Sequence, residues 1–451
     1  CSRWQEPFGR TSLEASSRGC AVIISNKGGL KETITNGIIL KNNSINDIFN
    51  AIDELIKNKK KLKDLQKSSY KNFYLTNKYI SKKIDSYRLK LSSKKLNLTS
   101  SRLLKSKLKI MHITNFNERH NGRLFYNTGK RINNGLVRLG HSVLEFSDRD
   151  ILSNNRRLSD LNGADFLNKK LLNVIGNYAP DLIVLGHADL INIKTLKIIK
   201  KYYPETKITQ WFLDRMDSEW INNKSRFLKK IDIMDSNFCT TDPSSLKLSK
   251  KYPIYYLPNP VDKSFETLKN YKNKVLKNDV FFAMSHGVHR GVLKKGKFDK
   301  RELFLKKLTN RLPNIKFDIY GAENKEPIWA DNFIKVLSQS KIALNLSQGK
   351  PSKYYTSDRF AQLIGNGLLV LIDKKISYNN LFNSNEIISY SNLKDLTNKI
   401  KMYANNDKLR QKIAKNGRNK YFKYFNSTVV AEYIINKTFN IKKKYYWEDK
   451  L

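Results

Sequence analysis

The sequence is poor in the groups that usually hold metals or cross-links. Its three cysteines, Cys1, Cys20 and Cys239, have neither metal-ligand nor disulfide spacing. That excludes a disulfide scaffold and fits a reducing cytosol. The six histidines are dispersed without zinc-ligand spacing, so neither a metal nor a cofactor is expected. No apolar run approaches the roughly 18–20 residues that span a bilayer, and no signal peptide is visible. Acidic residues are also scarce, 40 against 85 Lys and Arg, which leaves a net charge of +45. Such an excess suggests nucleic acid. Yet the chain has no recognition-helix pattern, zinc-finger spacing or aromatic-basic strand motif, so nucleic acid is not the expected partner. Lys is scattered among abundant Asn and Ile, as an AT-rich coding bias would leave it. The charge then implies attraction to phosphorylated substrates or peripheral contact with an anionic membrane. The expected location is the cytoplasm, including the inner face of that membrane. The first residue is Cys rather than Met, which suggests a fragment or processed product.

What is present is core-forming. Hydrophobic residues make up 40% of 451 positions, with 23 Tyr and 22 Phe, enough for two or three domains. The chain also repeats itself. Gly19 falls on Gly367, a shift of 348 residues, and at that shift Val22-Ile23-Ile24 falls on Val370-Leu371-Ile372. Ile39 then meets Ile387, Asp47-Ile48 meets Asp395-Leu396, Ile52 meets Ile400 and Phe73 meets Tyr421. Ser44 and Asn392 are each placed to cap a helix, with Asp47 or Asp395 in its first turn. Residues 1–93 therefore read as the rear part of one unit, residues 94–107 as a basic linker, and residues 108–451 as a complete second unit.

Within the second unit short strands alternate with helices. Apolar runs at 108–114, SVLEF (142–146), DLIVLG (181–186), KITQWF (207–212) and IDIMDS (231–236) predict strands. The stretches 122–139, 166–178 and 191–202 predict helices. YYLPNPVD (255–262) punctuates the chain with two prolines. A new series then begins with VFFAMS (280–285), IKFDIYG (315–321), KIALNLS (341–347), LLVLID (368–373) and EIISYS (386–391). The fold class expected is α/β, two doubly wound Rossmann-like lobes, 108–258 and 259–451, preceded by a truncated rear part of another such unit. Ligands of such sheets bind beyond the carboxyl ends of the strands.

Two lobes of this kind, with Glu6 and Glu14 separated by seven residues, resemble the GT-B glycosyltransferases. The opening segment is similar to retaining glycosyltransferase family 4 in Glu6-Pro-Phe-Gly9, Glu14-Ala15, Gly19 and Gly28-Gly29-Leu30-Lys31-Glu32. The second unit resembles the group 1 and spore-maturation-type glycosyltransferases in PNPVD (258–262), ALNLS (343–347) and SDRFAQLIGNG (357–367). The resemblance implies transfer of a sugar from a nucleotide-sugar donor to a hydroxyl of a glycan, lipid-linked or similar acceptor, without a metal. It also implies that Glu6 binds the donor sugar and Glu14 the ribose, while backbone N–H groups at Gly28 and Gly29 face a diphosphate. Lacking the rest of its module, the opening segment is expected neither to bind nor to catalyse alone.

At the same shift Glu6 becomes Tyr354 and Glu14 becomes Gln362. Gln362 keeps hydrogen bonds for a ribose, whereas Tyr354 would meet a sugar by stacking. Arg359, at a helix start that Ser357 or Asp358 can cap, suits a diphosphate, or else pairs with Asp358. Arg290, Lys295 and Arg301 follow the first strand of the rear lobe, either to neutralise a leaving diphosphate or as solvated surface. Asn345 and Ser347 end a strand as donor contacts or plain caps. In the front lobe Gly122 and Arg123 form a loop able to approach phosphate or acceptor. His187 and Asp214 end strands at the cleft as candidate bases. Asp148-Arg149-Asp150 imitates a metal motif of a different fold and is not read as a metal site. Three rivals stay open: a degenerate nucleotide-sugar-binding module, a nucleotide-sugar epimerase and a nucleic-acid-binding protein.

Overall fold

The computed structural model describes residues 3–34, 36–91, 107–118, 121–156, 160–246, 248, 252–285 and 299–451. It falls into two compact units, Cys1–Leu96 and Asn97–Leu451.

Unit 1 runs α1 (Arg10–Ser17), β1 (Val22–Ser25), β2 (Gly37–Leu40), α2 (Ile45–Lys57), α3 (Lys59–Lys71) and α4 (Asn77–Leu91). The strands β1 and β2 pair in parallel as a two-stranded sheet. Two polar residues start its helices. Ser44 accepts the Asp47 N–H at 3.1 Å and Asn58 accepts the Lys61 N–H at 2.9 Å, so each supplies an acceptor that the first helical turn lacks.

Unit 2 opens with β3 (Lys109–Thr114), α5 (Thr128–Arg138), β4 (Ser142–Ser147), α6 (Asp148–Asn154), α7 (Ala164–Tyr178), β5 (Leu182–Gly186) and α8 (Ile193–Tyr202). It continues through β6 (Lys207–Phe212), α9 (Ile221–Leu228), β7 (Ser236–Cys239) and β8 (Ile254–Tyr256). These strands form one parallel sheet in the order β4-β3-β5-β6-β7-β8. The rear lobe comprises β9 (Asn278–Ala283), α10 (Lys300–Asn310), β10 (Phe317–Tyr320), α11 (Ala330–Leu337), β11 (Ser340–Asn345), α12 (Asp358–Gly365), β12 (Leu369–Asp373) and β13 (Ile388–Tyr390). The helices α13 (Leu393–Ala404), α14 (Asp407–Tyr424) and α15 (Ser427–Thr438) close the chain. Its parallel sheet has the order β10-β9-β11-β12-β13. Both sheets are doubly wound, and their central strands are buried on both faces, as near-continuous apolar runs require.

Several boundaries differ from the sequence reading. The run at 231–236 supplies a 3-10 turn, Ile231–Ile233, and the strand begins only at Ser236. Its two carboxylates explain the shift: Asp232 accepts from the Tyr252 hydroxyl at 2.6 Å, and Asp235 accepts the Ile208 N–H at 2.7 Å while pairing with Lys200. Residues 255 and 256, read as the start of the segment that punctuates the chain, belong instead to the edge strand β8. The amphipathic stretch from residue 122 becomes helix only at Thr128, where Asn127 accepts the Lys130 N–H at 2.8 Å.

The final helix, α15, lies on α5 of the front lobe although it follows the rear sheet in sequence. Gly135 makes that approach possible, because a Cβ there would collide with the Ser427 carbonyl. Beside it the connection between lobes is pinned by charge. Arg131 meets Glu266, both 1% exposed, and Arg138 meets fully buried Asp262. Asp262 also accepts from the Ser427 hydroxyl at 2.7 Å. Burial opposes ionisation of Asp262, but the Arg138 guanidinium and these hydrogen bonds outweigh it and hold the carboxyl below its ordinary range.

Candidate functional site

A cavity of about 410 Å³ opens in unit 2 between the carboxyl ends of the two sheets. The rear sheet contributes residues after β9 (Ala283–Ser285) and after β11 (Leu346–Gln348), which flank its topological switch point, together with the start of α12. The front lobe contributes Arg123, Leu124, Tyr126 and Asn127 after β3, and Asp214 and Arg215 after β6. Trp220, Trp329 and Phe333 supply apolar wall. The lobes touch across the opening: the Arg215 guanidinium donates to the Gln348 carbonyl at 3.1 Å, and Arg123 stacks 5.1 Å from the Trp329 ring centre.

The cavity brings together Arg123, Asp214, Arg301, Ser347, Ser357, Arg359 and Gln362. Ser357 stands at the N-cap of α12 but its side chain makes no capping hydrogen bond, while Asp358 accepts from Gln362 Nε2 at 3.2 Å instead of capping. Arg359 spends two nitrogens on structure, donating to the carbonyls of Ala283 and Leu346 and so tying the ends of β9 and β11. Its Nε finds no acceptor among the described residues. Burial, with Arg301 nearby, brings this guanidinium down to about 10, still cationic at neutral pH. Arg301 is itself held by Asp299 through hydrogen bonds of 3.0 and 2.7 Å. Asp214 meets Arg226 at 3.3 Å and His187 Nδ1 at 3.7 Å.

Other expected residues lie elsewhere. His187 does not line the cavity. Its Nε2 accepts the Leu213 N–H at 3.1 Å and its ring packs on Phe212, so burial lowers its pKa and keeps it neutral behind Asp214. Tyr354, expected to stack on a sugar, is 1% exposed. A left-handed backbone (φ 58°) turns it into the core, where its hydroxyl accepts from Asn380 at 2.7 Å. Tyr355 lines the cavity instead, and a one-residue register of this kind leaves no sequence signal. Gly122 has no place in the lining, and Arg290 and Lys295 fall outside the described residues. Asn345 is buried at the end of β11 beside a second cavity of about 660 Å³.

In unit 1, Glu14 is exposed and pairs with Arg10 at 3.0 Å, and Glu6 is half-buried. The expected anion cradle is taken by the chain itself. Gly28 donates its N–H to Gln5 Oε1 at 2.9 Å and Gly29 donates to the Glu6 carbonyl at 2.7 Å.

The sequence reading missed one property of the cavity wall. Among the described residues, four buried N–H donors on lining residues find no acceptor: Arg359 Nε, Arg123 Nε, Trp220 Nε1 and Trp329 Nε1. An uncompensated buried donor costs about 1–3 kcal/mol, so such a set calls for an acceptor-rich occupant. Among the described residues no cluster of His, Cys, Asp or Glu could hold a metal ion, and no helix is long and apolar enough to cross a membrane.

A two-lobed α/β protein with its cavity at a topological switch point has the architecture of the GT-B class. The family of glycosyl transferase-like proteins matches residues 300–436, and that of glycosyl transferases group 1 matches residues 1–72. Each unit thus carries one match to a glycosyltransferase family. No curated protein matches the chain. Among solved structures, Anabaena HepE in complex with UDP is 11% identical, with a TM-score of 0.46, over 74% of this chain and 100% of its own. AviGT4, a glycosyltransferase involved in avilamycin A biosynthesis, is 11% identical with a TM-score of 0.45, over 74% of this chain and 98% of its own. A putative UDP-N-acetylglucosamine 2-epimerase from Listeria monocytogenes is 12% identical with a TM-score of 0.44, over 75% and 98%. Likenesses this distant carry no weight for the chemistry.

Proposed function

We propose that unit 2 transfers a sugar from a nucleotide-sugar donor to a hydroxyl of a glycan or lipid-linked acceptor, without a metal. The observation that carries this reading is the set of four buried N–H donors that find no acceptor among the described residues, around a cationic cavity at the start of α12. A diphosphate supplies the missing acceptors, and the helix N-terminus and guanidiniums favour its charge. As the glycosidic bond breaks, negative charge grows on the departing nucleoside diphosphate. Arg359 Nε, Arg301 and the first turn of α12 stabilise it there, the task a metal ion performs elsewhere. Gln362 takes the ribose by hydrogen bonding. Asp214, the carboxylate of the front-lobe wall, accepts the proton of the acceptor hydroxyl, with His187 and Arg226 holding it in place. The excess of basic residues supports an acceptor presented at an anionic surface.

Unit 1 takes the role of a second copy of the rear half of such a module. Support comes from element positions: α1, α2 and α3 begin at Arg10, Ile45 and Lys59, and α12, α13 and α14 begin 348 residues later at Asp358, Leu393 and Asp407. Its Gly28 and Gly29 N–H groups are engaged by Gln5 and Glu6, and so are not offered to a diphosphate.

Radiolabelled nucleotide sugars test the reading. Transfer to a hydroxyl acceptor is expected, and Asp214→Asn is expected to slow it by about 10²–10⁴-fold. Arg359→Ala is expected to weaken nucleoside diphosphate binding about tenfold or more, the loss of one charge-assisted hydrogen bond. A degenerate binding module, favoured by Gln362 standing where a carboxylate is expected, predicts affinity without turnover. An epimerase predicts conversion of the donor with no acceptor present.

A further inference from the structure

The helix α4 of unit 1, Asn77–Leu91, makes no substantial packing contact with any other element of the unit. Every residue from Asn77 to Asp85 is exposed. A helix of 15 residues without a packed face is marginal in water, because most helical stability in proteins comes from burying an apolar stripe. α4 has such a stripe. Ile80, Ile84 and Tyr87 recur at i, i+4 and i+7, and they are 42%, 46% and 52% exposed. Lys83 borders the stripe, 5.7 Å from the Tyr87 ring centre, and the spacing puts Lys78 and Lys82 on the opposite face. The charge is concentrated here. From Lys59 to Tyr87 the sequence has nine lysines and two acids. By contrast α2, whose apolar face is equally open, carries Asp47, Asp53 and Glu54 against Lys57.

The final helix of unit 2 excludes one kind of cover. α15 is buried at every residue from Val429 to Asn436, and its 12 residues contain one cation, Lys437. The lysines of α4 forbid burial on all sides, so α4 can cover its stripe alone. That suits a broad surface rather than a groove between elements. Phosphates would match the lysines, but a nucleic acid would leave the two isoleucines in water. An anionic bilayer offers both phosphate and hydrocarbon, with tyrosine at their boundary and lysine stems reaching back to water. At 15 residues α4 is shorter than the roughly 20 that span a bilayer, so it would lie along the surface.

We infer that α4 is a surface anchor that lies along an anionic lipid bilayer, with Ile80, Ile84 and Tyr87 toward the acyl chains and its lysines toward the phosphates. The anchor belongs to unit 1 and does not depend on sugar transfer by unit 2.

Sedimentation of the full chain with vesicles tests it, comparing equal parts of phosphatidylglycerol and phosphatidylcholine with phosphatidylcholine alone. Binding is expected to the first and not to the second, with slower amide exchange at residues 77–87. A net charge of +45 draws the chain to any anionic vesicle, so the variants decide. Ile80→Ser with Ile84→Ser keeps the charge and lies near isoleucine in helix propensity, and it is expected to weaken binding about tenfold or more. Ile52→Ser, at a similarly exposed position of α2, is expected to leave binding intact. Lys78→Gln, Lys82→Gln and Lys83→Gln together are expected to weaken it more than Lys408→Gln, Lys412→Gln and Lys415→Gln on exposed positions of α14. The inference is overturned if neither vesicle binds, if both bind equally, or if the isoleucine variant binds as the parent does. It is overturned equally if the two lysine sets weigh alike, or if exchange at residues 77–87 is unchanged by vesicles. Failure of the transferase reading looks different: the chain binds vesicles through α4 and nucleotide sugars are never turned over.

Discussion

The helices α2 and α13 start 348 residues apart, and each has a polar N-cap and an amphipathic pattern, yet they present the same face to different surroundings. In α13 that face is Leu393, Thr397, Ile400 and Ala404, with Ile400 fully buried and Thr397 and Ala404 each 7% exposed. It packs on β11 and β13. In α2 the matching residues are Ile45, Phe49, Ile52 and Ile56, and they are 85%, 65%, 46% and 59% exposed. The caps agree closely: Ser44 accepts from Asp47 at 3.1 Å and Asn392 from Asp395 at 3.0 Å. What differs is the sheet. Among the described residues unit 1 has two strands, and β1 has no counterpart of β11 beside it. A 3.6-residue apolar period therefore states that a helix has something to bury, and leaves open whether anything covers it.

The largest expected effect lies in the ion pairs. Those of unit 1, such as Lys57–Asp53 and Arg10–Glu14, are on the surface, whereas Arg131–Glu266 in unit 2 is buried. Glu266→Gln strands the guanidinium and is expected to cost about 3–5 kcal/mol in denaturant unfolding of unit 2. Next comes the helix face itself. Ile400→Ala opens a cavity under α13, with an expected loss of about 2–5 kcal/mol and faster amide exchange in that helix.

Acid should separate the units by a similar margin. All six histidines lie in unit 2. His112 is held neutral there, at about 4, by burial, and its Nε2 accepts from the Trp211 indole. Its folded pKa is lower than its unfolded one, so the neutral form favours folding above about pH 6.5. That contribution, about 3 kcal/mol, is expected to disappear as pH falls from 6.5 through 4. Hydrogen exchange across this window should show unit 2 loosening while unit 1, without histidine, holds until carboxylates titrate. The smallest effect sharpens the comparison most: Ile52→Ala, the counterpart of Ile400→Ala, is expected to shift stability by no more than about 0.5 kcal/mol. Equal losses at both positions would mean that the α2 face is covered in solution.

Much of the fold was legible because its signals are local. The capping residues Ser44 and Asn392, the buried runs of β5 and β12, and the prolines of 258–260 each declare themselves within a few residues. The site was less so. Arg359 was recognisable as a cation at a helix start, but its two bonds to the Ala283 and Leu346 carbonyls join segments 76 and 13 residues away. Tyr354 and Tyr355 are chemically alike, and only the left-handed turn at Tyr354 decides which of them the cavity sees.

By itself, then, the order of residues determined the alternation of strands and helices, since backbone preference and apolar period act over short spans. Tertiary structure alone decided which apolar faces are covered, which arginines remain available and where buried donors lack partners. Those properties depend on atoms brought together from distant parts of the chain, and removal from water is what gives them their energy.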